Sequence, residues 1–252
     1  MRVVYGVNPI RELLRSGAEG VSELWLAEGG ASHGAAGEIE RLARSAGAKV
    51  RSAPRARLDR LAGTDRHQGV VAVVADYAYR EVDDLLELAR ERGEPPLVVV
   101  LDGVEDPQNL GAIIRSAHAL GAHGVIVPKD RAAGISPAVA KASAGAVEHT
   151  AVARVTNVAQ TIERLKEAGV WSVATAAEAT TDLGDVDLTG PTALVMGGEG
   201  QGVRPLVRRT ADHLARIPMS GKVGSLNASA AAAICLYEVA RQRRAGARKR
   251  PG

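Results

Sequence analysis

Leu97-Val98-Val99-Val100-Leu101 is a short, unbroken apolar run with three valines, and its reading decides the fold. A run of that length and character suits a strand buried on both faces. Downstream, Leu110 to Leu120 has helical spacing, with Ile113, Ile114, Ala117 and Leu120 on one face. Gly124 to Val127 reads as a strand, and Val158 to Ala168 as an amphipathic helix with Asn157 placed to cap it. Val170 to Ala174 and Ala193 to Met196 are further strands, and Leu226 to Arg241 is a largely apolar last helix. Strands alternating with helices in this way predict an α/β domain on a parallel sheet covered on both faces.

Upstream of that run the chain reads differently. Residues 1–75 form a small α/β unit: Asn8 caps a helix with Pro9 at its first position and Ile10, Leu13 and Leu14 on one face. Glu23 to Ala27 is a short strand, Ala35 to Ala46 a helix stopped by Gly47, and Val70 to Ala75 a buried strand. The charged stretch Asp76 to Arg92 and the breakers Gly93-Glu94-Pro95-Pro96 mark residues 76–96 as a linker containing a helix. The expected organisation is therefore 1–75, a linker, and 97–252.

Composition narrows the function. The 252 residues are 46% hydrophobic, enough for a substantial core, yet no run approaches the roughly 18–20 apolar residues of a membrane span. No signal-peptide pattern opens the chain, so a soluble cytoplasmic protein with no membrane partner is expected. The single cysteine, Cys235, excludes an intrachain disulfide, and its Ala-rich surroundings favour a small buried hydrophobe over a catalytic thiol. The six histidines lack metal-ligand spacing, so no metal is expected. Net charge is only +3, but Arg241, Arg243, Arg244, Arg248, Lys249 and Arg250 form a basic end that either contacts phosphates or is a solvated tail. With aromatics at 2%, a base-stacking platform is not expected.

Three segments look chemical. The first, Leu101-Asp102-Gly103-Val104-Glu105-Asp106-Pro107-Gln108-Asn109, leaves a strand and opens a helix, where ligands of open α/β sheets bind. Asn109 there is a helix cap or a functional amide, and Arg115 a solvated helix arginine or a functional cation. The second, Met196-Gly197-Gly198-Glu199-Gly200-Gln201-Gly202, permits close backbone approach to a ligand. It does not match the dinucleotide pattern G-x-G-x-x-G and comes too late in the chain for one. Its Glu199 is a turn residue or a site carboxylate. The third, Ile217-Pro218-Met219-Ser220-Gly221 through Ser225-Leu226-Asn227, leads from a short strand into the last helix. Ser225 and Asn227 cap that helix, or its free amides hold a ligand.

Together and in this order the three segments resemble the motifs of the SpoU/TrmH family of RNA ribose methyltransferases, within the SPOUT superfamily. The likeness is nearest to the branch that methylates a guanosine of 23S rRNA, and it covers nearly the whole chain. Val4-Tyr5-Gly6-Val7-Asn8-Pro9 and His67-Gln68-Gly69-Val70 are similar to that branch's substrate-binding domain. The resemblance implies a deep C-terminal trefoil knot, an N-terminal domain like ribosomal L30-type RNA binders (L30e-like), a homodimer, S-adenosyl-L-methionine as cofactor, and 23S rRNA or a pre-50S particle as partner. It implies cofactor contacts from Gly197, Gly198, Glu199, Gly200, Ile217, Pro218, Met219, Ser225, Leu226 and Asn227. It further implies a catalytic cluster of Asn109, Arg115, Glu199, Ser225 and Asn227. The rival readings are a tRNA methyltransferase of the same family, a non-catalytic RNA-binding assembly factor, and a nicotinamide-dependent oxidoreductase.

Overall fold

The computed structural model describes residues 1–17, 20–29, 34–222 and 224–248. They form two compact units, one of Met1–Ala78 with Gly134–His149, the other of Tyr79–Ala133 with Thr150–Gly252. Among the described residues, no helix is long and apolar enough to cross a membrane.

The first unit runs β1 (Arg2–Tyr5), α1 (Val7–Arg15), β2 (Val21–Ala27), α2 (Ala35–Ser45), β3 (Lys49–Ala53), α3 (Arg55–Ala62) and β4 (Val70–Val74). Its sheet has the order β1-β4-β2-β3, with β4 antiparallel to both neighbours and β2 parallel to β3. The helix α1 starts one residue before the expected cap: Gly6 takes the cap position at φ 95°, so Asn8 is inside the helix and Pro9 is buried in its first turn. The His67-Gln68-Gly69 stretch is structural in this unit. His67 is fully buried, its Nδ1 accepts the Gly69 N–H (3.0 Å), and its Nε2 lies 2.8 Å from Asp59 Oδ1. A ring nitrogen that accepts from a backbone amide carries no proton, so the Nε2–H donates to Asp59. The Gln68 Oε1 accepts the Val7 N–H (3.1 Å), tying the approach to β4 onto the start of α1.

The second unit runs α4 (Val82–Arg92), β5 (Leu97–Asp102), α5 (Pro107–Ala119) and β6 (Gly124–Pro128). After α6 (Pro137–Ala142), which belongs to the first unit, it continues with β7 (Val152–Val155), α7 (Val158–Glu167), β8 (Trp171–Thr175), β9 (Thr192–Gly197), α8 (Pro205–Thr210), β10 (His213–Ala215) and α9 (Ala228–Arg248). All six strands are parallel, in the order β10-β8-β9-β5-β6-β7. Every residue of Leu97–Asp102 is buried, as its unbroken apolar run requires of a central strand. Expected caps hold at α7, where Asn157 Oδ1 accepts the Gln160 N–H (3.2 Å).

Four details depart from the sequence reading. Gly134–His149 does not stay with the C-terminal unit: within the first unit Arg2 pairs with Glu148 (2.8 Å), Glu12 with His149 (3.0 Å), and Lys141 donates to the Arg66 carbonyl (3.0 Å). The stretch 76–96 holds the expected helix, α4, started by a reciprocal capping box of Glu81 and Asp84, but from Tyr79 onward it is part of the second unit rather than a linker. Ile217–Met219 is not a strand; the last strand ends at Ala215. Finally, the basic end is helical through Arg248. Arg243 is no free cation, since it donates to the carbonyls of Pro95 (2.8 Å), Pro96 (2.9 Å) and Gly190 (2.8 Å). Lys249 and Arg250 lie outside the described residues. Cys235 is fully buried, and burial pushes its thiol up to about 12, the character of an inert hydrophobe.

Ile126 of β6 is fully buried in the second unit's core. Ile126→Ala is expected to lower the unfolding free energy by about 2–5 kcal/mol, read from the urea midpoint of the full chain.

Candidate active site

The register of the parallel sheet brings the chemical segments to one end. Leu97–Asp102 of β5 pairs with Thr192–Gly197 of β9, so Asp102 lies opposite Gly197 where the glycine loop begins. The loop then folds back on itself: the Gly202 N–H donates to the Gly198 carbonyl (3.1 Å), with Gly200 and Gly202 at φ 88° and 61°. Gly197 and Gly198 are required for a different reason. A Cβ at Gly197 would overlap the Gly202 backbone, and one at Gly198 would overlap the Gly103 carbonyl. Asp102, fully buried, closes the arrangement. It accepts the backbone N–H of Arg204 (2.8 Å) and pairs with the Arg204 guanidinium (2.6 Å), fastening the loop's exit to the end of β5. A buried carboxylate needs that compensation.

Asn109 is not the cap of α5. Asp106 caps it, accepting the Gln108 N–H (2.9 Å) with Pro107 at the first helical position. Asn109 is thereby inside the first turn, buried, with its side chain free for other partners. Its Nδ2 donates to Glu199 Oε1, and its Oδ1 accepts from Asn227 Nδ2 (3.0 Å). Asn227 Nδ2 also reaches Glu199 Oε1 (3.3 Å). At its other end, Asn227 Oδ1 accepts the N–H (2.9 Å) and hydroxyl (2.6 Å) of Ser229, so Asn227 caps α9 as well as joining the cluster. These contacts fix the direction of the whole chain of hydrogen bonds. The helix N–H groups are donors, so the Asn227 oxygen faces them and its amide faces Asn109. The Asn109 amide in turn faces Glu199, whose Oε1 is the acceptor at the end of the chain.

The structure thus joins Asn109, Glu199 and Asn227. It leaves Arg115 apart, exposed on α5 and with no hydrogen bond or ion pair among the described residues. Six residues beyond Asn109, Arg115 is about 9 Å further along the helix and on another face. Ser225 is exposed and makes no side-chain hydrogen bond among the described residues.

A cavity of about 530 Å³ opens beside this cluster. Gly197, Gly198, Glu199, Gly200, Ile217, Met219, Ser225, Leu226 and Asn227 all line it; Pro218 does not. Its volume is within the roughly 300–1,000 Å³ of small-molecule sites. The lining also includes Thr175 to Glu178 after β8, Arg208 of α8, which pairs with Glu178, and Arg216. The sequence reading passed over these, although the rule that ligands bind beyond the carboxyl ends of strands points to the segment after β8. The residues fit a nucleoside-bearing cofactor: Ile217, Met219 and Leu226 offer apolar contact to a purine, and the side-chain-free glycine wall offers backbone groups.

Residues 96–237 match the SpoU rRNA methylase family, and residues 3–80 match the family described as RNA 2'-O ribose methyltransferase substrate binding. The chain is 42% identical over 247 residues to the 23S rRNA (guanosine-2'-O-)-methyltransferase RlmB of Coxiella burnetii, covering 98% of each chain. It is 48% identical over 240 residues, 95% of each chain, to a Bacillus subtilis protein described only as far as the TrmH family of tRNA/rRNA methyltransferases. The crystal structure of the SpoU methyltransferase AviRb from Streptomyces viridochromogenes in complex with the cofactor AdoMet superposes with a TM-score of 0.80. The identity there is 31%, over 97% of this chain and 91% of that one. The chain belongs to the SpoU rRNA methylase family. Its activity is that of an S-adenosylmethionine-dependent RNA ribose 2'-O-methyltransferase.

Gly198→Ala adds one methyl group against the Gly103 carbonyl with no change of backbone preference. Overpacking of this kind is expected to weaken S-adenosylmethionine binding by about 1–3 kcal/mol, measured by titration calorimetry, with an unchanged circular dichroism spectrum.

Proposed function

We propose that the chain methylates the ribose 2'-hydroxyl of a guanosine in the peptidyl-transferase region of 23S rRNA, as a cytoplasmic homodimer. The observation that carries this reading is the Asn109–Glu199–Asn227 cluster on the wall of the cofactor cavity. The names of the relatives support the choice of rRNA and guanosine. In this reading Gly197 to Gly200, Ile217, Pro218, Met219 and Ser225 to Asn227 hold the cofactor. The cavity is enclosed by a trefoil knot formed as the chain after β10 passes to α9. The first unit is an L30e-like RNA-binding domain, and its cleft of about 580 Å³ is bordered by Glu28 and Glu40 as well as Arg44, Arg51 and Arg55, of which Arg55 has no ion pair among the described residues and can meet a phosphate.

S-adenosylmethionine supplies an electrophilic methyl group on a sulfonium. As the ribose oxygen bonds to that methyl, the methyl–sulfur bond breaks and the hydroxyl proton leaves to a nearby phosphate or water. Glu199, held by two amides, orients the ribose. Arg115 cannot ordinarily be deprotonated, so it acts as a fixed cation, holding the adjacent phosphate and lowering the energy of the developing alkoxide. Being exposed and unengaged, it keeps its whole fork for RNA. Ser225, whose hydroxyl makes no hydrogen bond among the described residues, is free to bond the substrate.

The protein is to be incubated with S-adenosylmethionine and 23S rRNA from a strain lacking the modification, and the digested RNA analysed by mass spectrometry. A gain of 2'-O-methylguanosine is expected. Arg115→Ala should lower turnover by about 10²–10³-fold, and Arg115→Lys should remain impaired because it loses the planar fork. A different ribose-methylated nucleoside would move the target. No transfer to rRNA, tRNA or ribosomal subunits would favour the assembly-factor reading.

The homodimer reading is supported by α9, which leaves Ile234 41% and Tyr237 57% exposed three residues apart. Ile234→Glu with Tyr237→Glu is expected to convert the sedimenting species to monomer; an unchanged dimer would place the interface elsewhere.

A further inference from the structure

A second cavity, of about 390 Å³, opens on the other side of the glycine loop, between the ends of β5 and β6. Gly198, Glu199, Gln201 and Gly202 wall both cavities, so one loop separates the cofactor chamber from this one. The second chamber is lined by charge. Asp102 is engaged by Arg204, and Asp106 by the Gln108 amide. That leaves Glu105, Asp130 and Arg131, all exposed and without a hydrogen bond or ion pair among the described residues. The backbone that presents them is fixed. The Ala133 N–H donates to the Val104 carbonyl (3.0 Å), joining the two lips, and the Lys129 N–H donates to the Val155 carbonyl (2.8 Å).

Two unpaired carboxylates and one unpaired guanidinium beside the catalytic carboxylate match one base better than the others. Guanine alone carries two adjacent donors, N1–H and the 2-amino group, on its Watson–Crick edge, and two adjacent acceptors, O6 and N7, for an arginine fork. Adenine places a lone pair at N1, against a carboxylate; uracil offers a single ring donor flanked by carbonyls. A phosphate would meet the carboxylates unfavourably, so the chamber suits a base rather than the backbone. Single-stranded RNA is commonly read this way, with a base splayed out and bonded on its edges.

Resting on the guanosine reading above, we propose that this chamber receives the target guanine. Glu105 and Asp130 accept from N1–H and the 2-amino group, and Arg131 donates to O6 and N7. The ribose then lies over the shared wall at Glu199, with base and methyl donor on opposite sides of the glycine loop. Asp130, Glu105 and Arg131 are specificity residues and take no part in methyl transfer.

The test uses the full chain and two rRNA transcripts carrying guanosine or inosine at the modified position, inosine lacking only the 2-amino group. Wild-type kcat/KM is expected to fall about ten-fold on inosine. The variant Glu105→Ala/Asp130→Ala, which removes both acceptors, with S-adenosylmethionine affinity retained, should treat the two transcripts alike to within about two-fold. If that variant turns over too slowly to assay, equilibrium binding of the two transcripts to it is compared by the same criterion. Retained discrimination by the variant, or none by the wild type, overturns the inference. Failure of the wild type to methylate guanosine at all is a different result: it removes the functional reading, and the base site with it.

Discussion

The Gly198 N–H donates to the Asp102 carbonyl at 3.0 Å, and the Gly198 Cα lies so near the Gly103 carbonyl that no Cβ fits between them. The other features of the site follow from that contact. It draws the loop after β9 across the end of β5, and the Asp102–Arg204 pair holds it there. Once the loop is drawn across, Glu199 is carried to the first turn of α5, where Asn109 waits. A side chain at 198 would lift the loop and break the acceptor end of the cluster together with the wall shared by the two cavities.

The cluster also depends on a helix terminus far away in sequence. The first amides of α9 are unsatisfied donors, as at any helix start, and Asn227 answers them with its oxygen. That leaves its amide nitrogen as the only group to offer Asn109, and the polarity propagates to Glu199. One helix cap therefore sets which way the amides point toward a carboxylate 28 residues earlier in the chain. Capping and chemistry are usually weighed as alternatives for an asparagine in such a position; here a single side chain does both because an amide has two faces.

The second unit's four inner strands were legible because a parallel sheet buried on both faces demands continuous apolar runs, and Leu97–Asp102 and Thr192–Gly197 are written that way, whereas the short edge strands β7 and β10 were not. The glycine loop and the helix-start asparagine were visible as types of residue. Their pairing was not, since Asn109 meets Glu199 across 90 positions and Asn227 across 118. Local capping rules also misplaced Asn109, because Asp106 with Pro107 makes the better start three residues earlier. The association of Gly134–His149 with the first unit left no periodic trace: α6 is six residues long, and the contacts that hold the segment are distant in sequence, the Arg2–Glu148 pair spanning 146 positions and the Glu12–His149 pair 137. Arg243 shows the reverse error: read as a phosphate contact or part of a solvated tail, it instead satisfies carbonyls in two segments rich in proline and glycine.

The two sides of the glycine loop divide the chemical labour. On the cavity that fits the cofactor, the wall is backbone, glycine and apolar side chains, with Ile217, Met219 and Leu226 contributed by an irregular segment rather than a strand. Recognition there rests on where the backbone runs, so few side-chain identities matter apart from the absence of a Cβ at 197 and 198. On the other side the wall is Asp102, Glu105, Asp106, Asp130, Arg131 and Arg204, where identity matters because each charge is either paired or exposed to a ligand. Glu199 stands on the boundary and faces both. A reaction that must bring an uncharged hydroxyl of a polyanion to a sulfonium methyl needs such a boundary. The cation must be met by a fixed acceptor without a mobile acid nearby, and the polyanion must be steered by permanent cations. In the reading proposed above, Glu199, held by two amides, is the fixed acceptor at that boundary, and Arg115, unpaired among the described residues, is the permanent cation.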